Sequence, residues 1–508
     1  MMPMTTYQRH MESERDTERF AGELSLFLRS GMLLILKGEL GAGKSTFARA
    51  LIHALSNSSG GFDVPSPTFG LVQTYDNTRM QVAHVDLYRT SSDAEIQELG
   101  LGELATNYLL IVEWPQPGIE NLGHAKLVIE FSGTGSSRDV EITEYGASTG
   151  LISRLVKARE FLSDRGWDEA ERQFLDGDAS SRRYERLKLG KSKAILMDMP
   201  SKADGPPVKD GKPYSAIAHL AEGLRSVVAI NEYLREQGYA APEIIEYDIE
   251  AGFALIADFG DALYGRMRAN KENMAIPMQA AIDVLANISG RSWPARITMR
   301  DQSIYSMPGY DTEAQLIEVD LLTSWYFPHI KSKSILNNSA QEYQQLWKNV
   351  LGFTQKQKPV CVLRDFHSPN LIWRPDQSGL QKVGLIDTQD ALLGHPAYDL
   401  VSLLQDARID IPAQEEESLY AYYVKKRQDS GSFDPVEFAR AYAILGAQRA
   451  SKILGIFARL AKRDSKLSYL KNLPRVSIYL ERNLRHPCLA DLRRWYEINI
   501  PEAIGLNT

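Results

Sequence analysis

The sequence predicts an α/β unit followed by a larger α+β unit, and three patterns predict it. Over about the first 150 residues, short apolar runs alternate with helical stretches, as in a largely parallel sheet covered by helices. Residues 180–260 hold short strand candidates around one helix. Beyond Asp261 the pattern is mostly helical. The second unit therefore reads as a small strand-bearing lobe, about 156–260, and a helical lobe, 261–508.

In the first unit, strands are expected at Met32–Leu36, Val82–Asp86, Leu109–Glu113, Lys126–Phe131 and Val140–Thr143. Ser132–Arg138 (SGTGSSR) reads as a turn, which makes the last two strands an antiparallel edge. Tyr145–Gly150 (YGASTG) is small and polar and marks the boundary between domains 1–150 and 156–508. A helix follows, with Ile152, Leu155, Val156, Ala158, Phe161 and Leu162 on one face. Further strands are expected at Tyr184–Leu189, Ala194–Met199 and Ala254–Ala257, one helix from about Tyr214 to Gln237, and a mobile loop at Lys202–Lys212. Within the helical lobe one interruption appears at residues 359–390, where two short apolar runs each lead into acidic residues.

The chain of 508 residues carries a formal net charge of −7, which argues against broad electrostatic gripping of nucleic acid. Two cysteines, Cys361 and Cys488, cannot build a disulfide framework or a thiolate zinc site, and they fit a reducing compartment. The polar N-terminus has no apolar core of a signal peptide, and runs such as Met32–Leu36 are too short to span a bilayer. A cytoplasmic protein with no membrane partner is expected.

The first chemical constellation follows the strand Met32–Leu36. Gly38, Glu39, Leu40, Gly41, Ala42, Gly43, Lys44, Ser45 and Thr46 fit the P-loop pattern G-x-x-x-x-G-K-[ST]. Glycines let successive backbone N–H groups turn toward one anion. Lys44 supplies a positive charge for the β- and γ-phosphates of ATP, Ser45 a hydroxyl for Mg²⁺, and the following helix its positive dipole end. Such an ATPase also needs a strand-end carboxylate for the metal and a segment that senses the γ-phosphate. Asp86 in HVDLYR and Glu113 in IVEWP end strands, and Thr68 in PSPTFGLVQTY offers a hydroxyl on a proline-braced loop. His84 is read as structural.

In this order and spacing, GELGAGKST, PSPTFGLVQTY, HVDLYR and IVEWP resemble the TsaE family, bacterial ATPases that support formation of threonylcarbamoyl-adenosine in tRNA. The resemblance covers about residues 15–145. It implies ATP and Mg²⁺ at Lys44, Ser45, Thr68, Asp86 and Glu113. It also implies docking onto TsaB/TsaD-type subunits of the threonylcarbamoyl transferase complex, which would hold the tRNA, so that tRNA is met only through them.

The second constellation lies in VCVLRDFHSPNLIW. Asp365 and Asn370 have the D-x-x-x-x-N spacing of a kinase catalytic loop, the Asp accepting the proton of an attacking hydroxyl and the Asn oxygen binding a metal. Asp387 follows the short apolar run VGLI, placed to hold Mg²⁺ across the β- and γ-phosphates. The loop resembles the aminoglycoside phosphotransferase-like kinases, a small-molecule branch of the protein-kinase-like fold. Within it, LRDFHSPNLIW and GLIDTQDALLGHPAYDLVSLLQDAR are most similar to the AmgK-type cell-wall sugar kinases, which phosphorylate the anomeric hydroxyl of N-acetylmuramate or N-acetylglucosamine. GDASSRRYERL and FALIADFGD match that group's nucleotide-covering strands and lobe hinge. The resemblance spans about residues 156–500 and implies a sugar kinase of peptidoglycan recycling.

Three departures stand out. Leu363 replaces the usual histidine two places before the catalytic Asp, Thr388 and Gln389 follow Asp387 where Phe-Gly is usual, and the strand AILMDMP carries no phosphate-pairing lysine. Arg182 and Arg183, with Lys191 and Lys193, are the candidates to neutralise the phosphates. His367 either touches substrate or braces the loop. Asp390 either supports the metal or caps a helix. Trp325, Tyr326 and Trp373 either stack on a sugar or fill the core. Asp399 is expected to brace the catalytic loop from a helix start, and His395 is read as structural. The same loop chemistry serves a kinase of choline, an aminoglycoside, a methylated sugar or a homoserine-like alcohol. A catalytically silent regulatory module is a further alternative, against which intact Asp365, Asn370 and Asp387 speak.

Overall fold

The computed structural model describes residues 6–56, 63–67, 71–90, 93–133, 135–175, 182–201, 205–330 and 335–505. By packing, the chain divides into two compact units, Met1–Asp198 and Met199–Thr508.

The first unit is built on a seven-stranded sheet of β1 (Thr6–Met11), β2 (Met32–Lys37), β3 (Val72–Tyr75), β4 (Val82–Asp86), β5 (Leu109–Glu113), β6 (Ala125–Ser132) and β7 (Arg138–Gly146). The neighbours β6, β2, β5 and β4 are parallel. Antiparallel β7 and β1 extend one edge, and antiparallel β3 the other. The expected strands and the expected antiparallel edge are all present. β1 and β3 were not anticipated. TYQRHM and VQTY hold no apolar run, and they are strands because an existing edge offers them hydrogen bonds.

Helices α1 (Glu14–Ser25), α2 (Lys44–Ala54), α3 (Asp93–Glu98), α4 (Leu101–Asn107) and α5 (Leu151–Ser163) complete this part. The rings of Phe20 in α1, Phe47 in α2 and Phe131 in β6 pack in series at 5.5 and 5.4 Å. Leu33, Ile35, Leu110 and Val112 of the central strands pack with Leu101 and Ala105 of α4. Strands covered on both faces need apolar residues at every position, hence their unbroken apolar runs.

The boundary expected at Tyr145–Gly150 is a closed joint. The Glu144 carboxylate accepts hydrogen bonds from the N–H groups of Gly150 (2.8 Å) and Ile152 (2.6 Å), capping α5. The unit continues beyond it through antiparallel β8 (Glu171–Leu175), β9 (Arg183–Leu189) and β10 (Ser192–Asp198). Three cations fasten this segment, β8–β10 and the turn before them, to the earlier elements. Arg79 lies over the Phe174 ring at 4.3 Å, Arg183 over the Phe27 ring at 3.1 Å, and Arg19 donates to Glu169 at 2.8 Å.

The second unit begins with a hairpin of β11 (Pro207–Lys209) and β12 (Lys212–Pro213), then α6 (Tyr214–Ile217) and α7 (Leu224–Glu236). The loop expected at Lys202–Lys212 thus becomes a short hairpin from Pro207, and residues 202–204 lie outside the described residues. The single helix expected from Tyr214 is two, because His219 sits at φ 51 and Gly223 is extended. There follow β13 (Ile244–Asp248), β14 (Phe253–Ile256), α8 (Tyr264–Ala269), α9 (Ala275–Ser289), β15 (Arg296–Thr298), β16 (Ile304–Ser306), α10 (Thr312–Leu321), α11 (Phe327–Ile330) and α12 (Asn337–Thr354). Four short strands come next: β17 (Val360–Val362), β18 (Leu371–Trp373), β19 (Val383–Leu385) and β20 (Leu392–Gly394). They pair antiparallel, β17 with β20 and β18 with β19. The chain ends in α13 (Ala397–Leu404), α14 (Ala413–Asp429), α15 (Pro435–Arg463), α16 (Leu473–Leu484) and α17 (Ala490–Asn499).

The spine of this unit is α15. Its Asp434 cap accepts from Val436 N and Glu437 N, Pro435 opens the first turn, and Lys462 and Arg463 sit in the last. Gly455 is required where α15 crosses the end of α10, since a Cβ there would lie 2.3 Å from the Leu321 carbonyl carbon. Of the three aromatics weighed above, Tyr326 is buried in the core and Trp325 packs against the same cluster, while Trp373 meets the Tyr264 ring edge-on at 6.4 Å. Among the described residues, no helix is long and apolar enough to cross a membrane.

These contacts make a stability prediction. A fragment ending at Asp198 keeps the Arg79 and Arg183 ring contacts, whereas one ending at Gly150 loses both and the whole of α5. At roughly 1–2 kcal/mol per desolvated cation–ring contact, the shorter fragment should melt at least ~4 °C lower in a calorimetric scan. Equal melting temperatures would show that β8–β10 add nothing.

Candidate functional sites

β2 runs directly into the loop Gly38–Gly43, and α2 starts at Lys44. Gly38 sits at φ 135, and a Cβ there would lie 2.5 Å from the Phe131 carbonyl oxygen, so the loop's first turn admits only glycine. Lys44 Nζ donates to the carbonyls of Gly38 and Glu39, both at 2.8 Å, and lies 3.7 Å from the Trp114 ring centroid. Burial lowers its pKa, while Glu113 and Asp86 pull it back up. Ala42 is buried, Thr46 is half-buried in the first turn of α2, and Glu39, Leu40 and Gly41 form an exposed tip.

The parallel register sets Asp86 beside Glu113, and Glu113 beside Leu36, at adjacent strand ends. Ser45 Oγ donates to Glu113 at 2.7 Å, and the other Glu113 oxygen lies 2.8 Å from His84 Nε2. Lys44, Ser45, Asp86 and Glu113 therefore lie together at the C-terminal ends of the parallel strands. Thr68 lies outside the described residues. A cavity of about 430 Å³ opens beside Gly38, walled by Tyr88, Trp114 and Gln116.

One residue of this site was missed in the sequence. Arg138 donates to the loop carbonyls of Ala42 (2.8 Å) and Gly41 (3.2 Å), fixing the loop from the start of β7. It lies 96 residues away from Ala42, and nothing local announces the contact. His84, read as structural, orients Glu113.

In the second unit, β17 leads into the loop that carries Asp365. Asp399, in the first turn of α13, accepts from the N–H groups of Leu363 (2.6 Å) and Arg364 (2.9 Å), the brace expected of it. Arg364 holds a left-handed backbone, φ 64. Asp406 accepts from Ser368 N at 3.0 Å, and Ser402 Oγ donates to the Arg364 carbonyl at 3.2 Å. Asn370 Nδ2 donates to the Asp365 carbonyl at 3.1 Å, and the Asn370 carbonyl accepts from Ile386 N at 3.1 Å. This last bond brings Asn370 next to the chain that ends in Asp387, itself at φ 62.

The charges around the loop are buried and matched. Arg364 reaches the carboxylate of Glu318, which also accepts from Lys452 (2.7 Å), Tyr310 (2.5 Å) and Gln448 (2.9 Å). Burial would push Glu318 up, but Lys452 and Arg364 hold it down at about 2. Burial also pushes Asp365 up, and His367, Lys452, Arg449 and Arg364 outweigh it, so its carboxyl sits below the usual range. His367 is itself pushed down to about 4, chiefly by burial, so near neutral pH the lysine and arginines do this work. Asp365 is thus a carboxylate held in its charged form on a fixed loop.

Of the open alternatives, His367 braces, with Nε2 2.9 Å from Arg408. Asp390 accepts from Ala221 N at 2.7 Å, in the loop ahead of α7, whose own N-cap, Gly223, makes no side-chain cap bond. Arg183, a candidate for the nucleotide phosphates, is engaged elsewhere. It donates to Asp198 at 2.6 Å, lies 3.5 Å from Glu185, stacks on Phe27, and burial lowers its pKa to about 10. Arg182 stands half-buried just before β9, and Lys191 and Lys193 are exposed beside the β9–β10 turn.

Among the described residues, no cluster of three or more His, Cys, Asp or Glu side chains is arranged to hold a metal by itself. The candidate oxygens are those of Asp86, Glu113 and Ser45 in the first unit, and in the second those of Asn370 and of Asp387, which follows the Ile386 that bonds the Asn370 carbonyl. Such sparse oxygen sets fit Mg²⁺, which completes its shell with water and nucleotide phosphates.

Residues 11–140 match the family described as threonylcarbamoyl adenosine biosynthesis protein TsaE, and residues 171–436 match the phosphotransferase enzyme family. The N-acetylmuramate/N-acetylglucosamine kinase of Caulobacter vibrioides is 35% identical over 350 residues, 67% of this chain and 95% of that protein. The tRNA threonylcarbamoyladenosine biosynthesis protein TsaE of Rickettsia bellii is 36% identical over 115 residues, 23% of this chain and 78% of that protein. Among solved structures, the choline kinase of Streptococcus pneumoniae aligns with TM-score 0.41 and 15% identity, covering 64% of this chain and 99% of that one.

His395 makes stability sensitive to acid. Its Nδ1 accepts from Ala397 N at 3.1 Å, and burial depresses its pKa from 6.5 to about 4. A depressed pKa means the unfolded chain binds the proton first. The stability contribution is complete above 6.5 and is lost as pH falls toward about 4. At about 1.4 kcal/mol per pH unit, the gap between the wild type and His395→Gln in urea denaturation should shrink by about 2 kcal/mol from pH 7 to pH 5. A constant gap would show that this imidazole does not titrate as described.

Proposed function

Because the chain belongs to the phosphotransferase enzyme family through residues 171–436 and to the TsaE family through residues 11–140, we propose a protein with two ATP-using activities. Residues 156–508 form a kinase of the anomeric hydroxyl of N-acetylmuramate or N-acetylglucosamine. Residues 1–150 form an ATPase that supports threonylcarbamoyladenosine modification of tRNA with TsaB/TsaD-type partners.

The single observation that carries the kinase reading is Asp365, held ionised on a loop whose backbone is fixed by Asp399. The sugar hydroxyl approaches Asp365, which orients it and takes its proton. The sugar oxygen forms its bond to the γ-phosphorus as the bond to the β–γ bridging oxygen breaks, and ADP departs. Mg²⁺, when bound, neutralises charge on the β- and γ-phosphates, and Asn370 and Asp387 would hold it. Asn370 fits because its amide nitrogen is tied to the Asp365 carbonyl, which leaves its oxygen for a cation. The named relative at 35% identity over 95% of its length supports the acceptor.

In the first site, the backbone N–H groups of Gly41–Ser45 and Lys44 would grip the β- and γ-phosphates. Lys44 now rests on two carbonyl dipoles and a ring, weaker partners than a phosphate anion. Ser45, Asp86 and Glu113 supply oxygens of the kind Mg²⁺ takes. Glu113, shared by Ser45 and His84, also stands where it can orient an attacking water.

Phosphorus NMR of products from N-acetylmuramate, N-acetylglucosamine and choline tests the acceptor. A sugar 1-phosphate is expected, and phosphocholine as the sole product would sink the reading. Asp365→Ala should lower sugar phosphorylation by ~10²–10⁴-fold, since proton transfer and orientation are both lost. Lys44→Ala should abolish ATP hydrolysis measured with the partner subunits and leave sugar phosphorylation in place. Loss of both activities from either change would refute separate sites.

A further inference from the structure

The phosphate loop of the first unit is held from behind by one side chain. Arg138 opens β7, and its guanidinium donates only to main-chain carbonyls. Nε donates to Ala42 at 2.8 Å, and the terminal nitrogens donate to Gly41 (3.2 Å), Gly135 (2.6 Å) and Ser137 (2.7 Å). Ala42 and Gly41 belong to the phosphate loop, Gly135 and Ser137 to the turn before β7, so one cation joins loop and hairpin. The approach needs glycine. A Cβ on Gly43, which sits at φ 106, would lie 3.2 Å from Arg138 Nε. The last glycine of the P-loop pattern therefore makes room for this arginine as well as for the turn.

These bonds decide which way an amide of the loop points. A trans peptide is planar, with its N–H directed opposite to its C=O. With the Ala42 carbonyl turned onto Arg138, the Gly43 N–H is turned to the other side of the loop. Among the described residues, the N–H groups of Gly43, Lys44, Ser45 and Thr46 have no backbone acceptor, and Phe47 N is the first of the helix to have one, the Gly43 carbonyl at 2.9 Å. The Ala42 N–H stands outside this set, bonded to the Glu39 carbonyl at 3.1 Å. A cation on a carbonyl oxygen also polarises the peptide and strengthens its N–H as a donor.

We propose that Arg138 is a positioning residue for nucleotide binding at the first site. By holding the Gly41 and Ala42 carbonyls away from the anion, it presents the Gly43 N–H, in line with the unpaired N–H groups of the first turn of α2, to the nucleotide phosphates. Arg138 acts through the loop and does not itself touch the nucleotide, unlike Lys44. The inference rests on the ATPase reading above and deepens it, since it assigns part of the loop's affinity to a residue outside the P-loop pattern.

Amide hydrogen exchange of the full chain, followed as ADP is added with Mg²⁺, reads the two nucleotide sites separately. In the wild type, peptides covering residues 38–46 and residues 360–373 should each slow with its own ADP midpoint. In Arg138→Gln the first midpoint should rise about 10–100-fold, the range for hydrogen bonds to a charged group, and the second should stay in place. Arg138→Lys, which keeps the charge and can reach one carbonyl, should recover part of the loss. Exchange in β6 and β7 without ADP should match the wild type in both variants. An unchanged first midpoint would overturn the proposal. So would a raised midpoint accompanied by faster exchange throughout β6 and β7, because Arg138 would then be a brace of the sheet. A wild type whose residues 38–46 never respond to ADP overturns the ATPase reading, and this inference with it.

Discussion

The geometry of the second site hangs on two backbone N–H groups, those of Leu363 and Arg364, and the one carboxylate that accepts from both. Between β17 and Asp365 the chain leaves its ladder inside the core, where an unpaired N–H costs about as much as a lost hydrogen bond. Asp399 supplies the acceptors at 2.6 and 2.9 Å. With those bonds made, Arg364 keeps its left-handed backbone and Asp365 keeps its direction. The Arg364 side chain then extends to Glu318, whose charge is matched from the other side by Lys452. Burying an ion pair is seldom stabilising on balance, but losing one partner strands the other. The triad therefore works less as adhesive than as a constraint: α10, α15 and the catalytic loop have one arrangement in which no charge is abandoned.

The two phosphate sites solve the same problem by different means. The first uses main-chain amides and glycine, with the side-chain cations Lys44 and Arg138 lying on loop carbonyls. Its loop is therefore local, written in nine consecutive residues, although the carboxylates and Arg138 around it come from other strands. The second assembles side chains from β17, β19, α10, α13 and α15, and no stretch of sequence holds more than part of it.

That difference explains what could be read in advance. The P-loop, the four parallel strands, the antiparallel edge and the Asp365–Asn370–Asp387 spacing were legible because each rests on short-range pattern. Asp399 was legible because a carboxylate at a helix start beside a catalytic loop has few other uses. Arg138, Glu318 and Lys452 were not, since their partners lie 96, 46 and 134 residues away. The partners of Arg183 were illegible for a related reason. Sequence shows that a cation is present but not that Asp198 and Glu185 already surround it. The break between α6 and α7 escaped because the left-handed residue is His219, which carries no turn signal of its own.

The stretch Tyr145–Gly150 shows how one composition can mean two things. Small polar residues with glycine mark a linker when nothing grips them. Here a Cβ on Gly146 would lie 2.1 Å from the His124 carbonyl oxygen, so glycine is needed for close approach, not for freedom. Ser148 Oγ donates to the Lys126 carbonyl at 2.7 Å, and Glu144 caps the helix that follows. The same residues that made the segment look like a domain boundary are the ones small enough to close it. What separates a joint from a linker is therefore not its own composition. It is whether a neighbour, here a carboxylate six residues before Gly150, satisfies the backbone groups that the turn exposes.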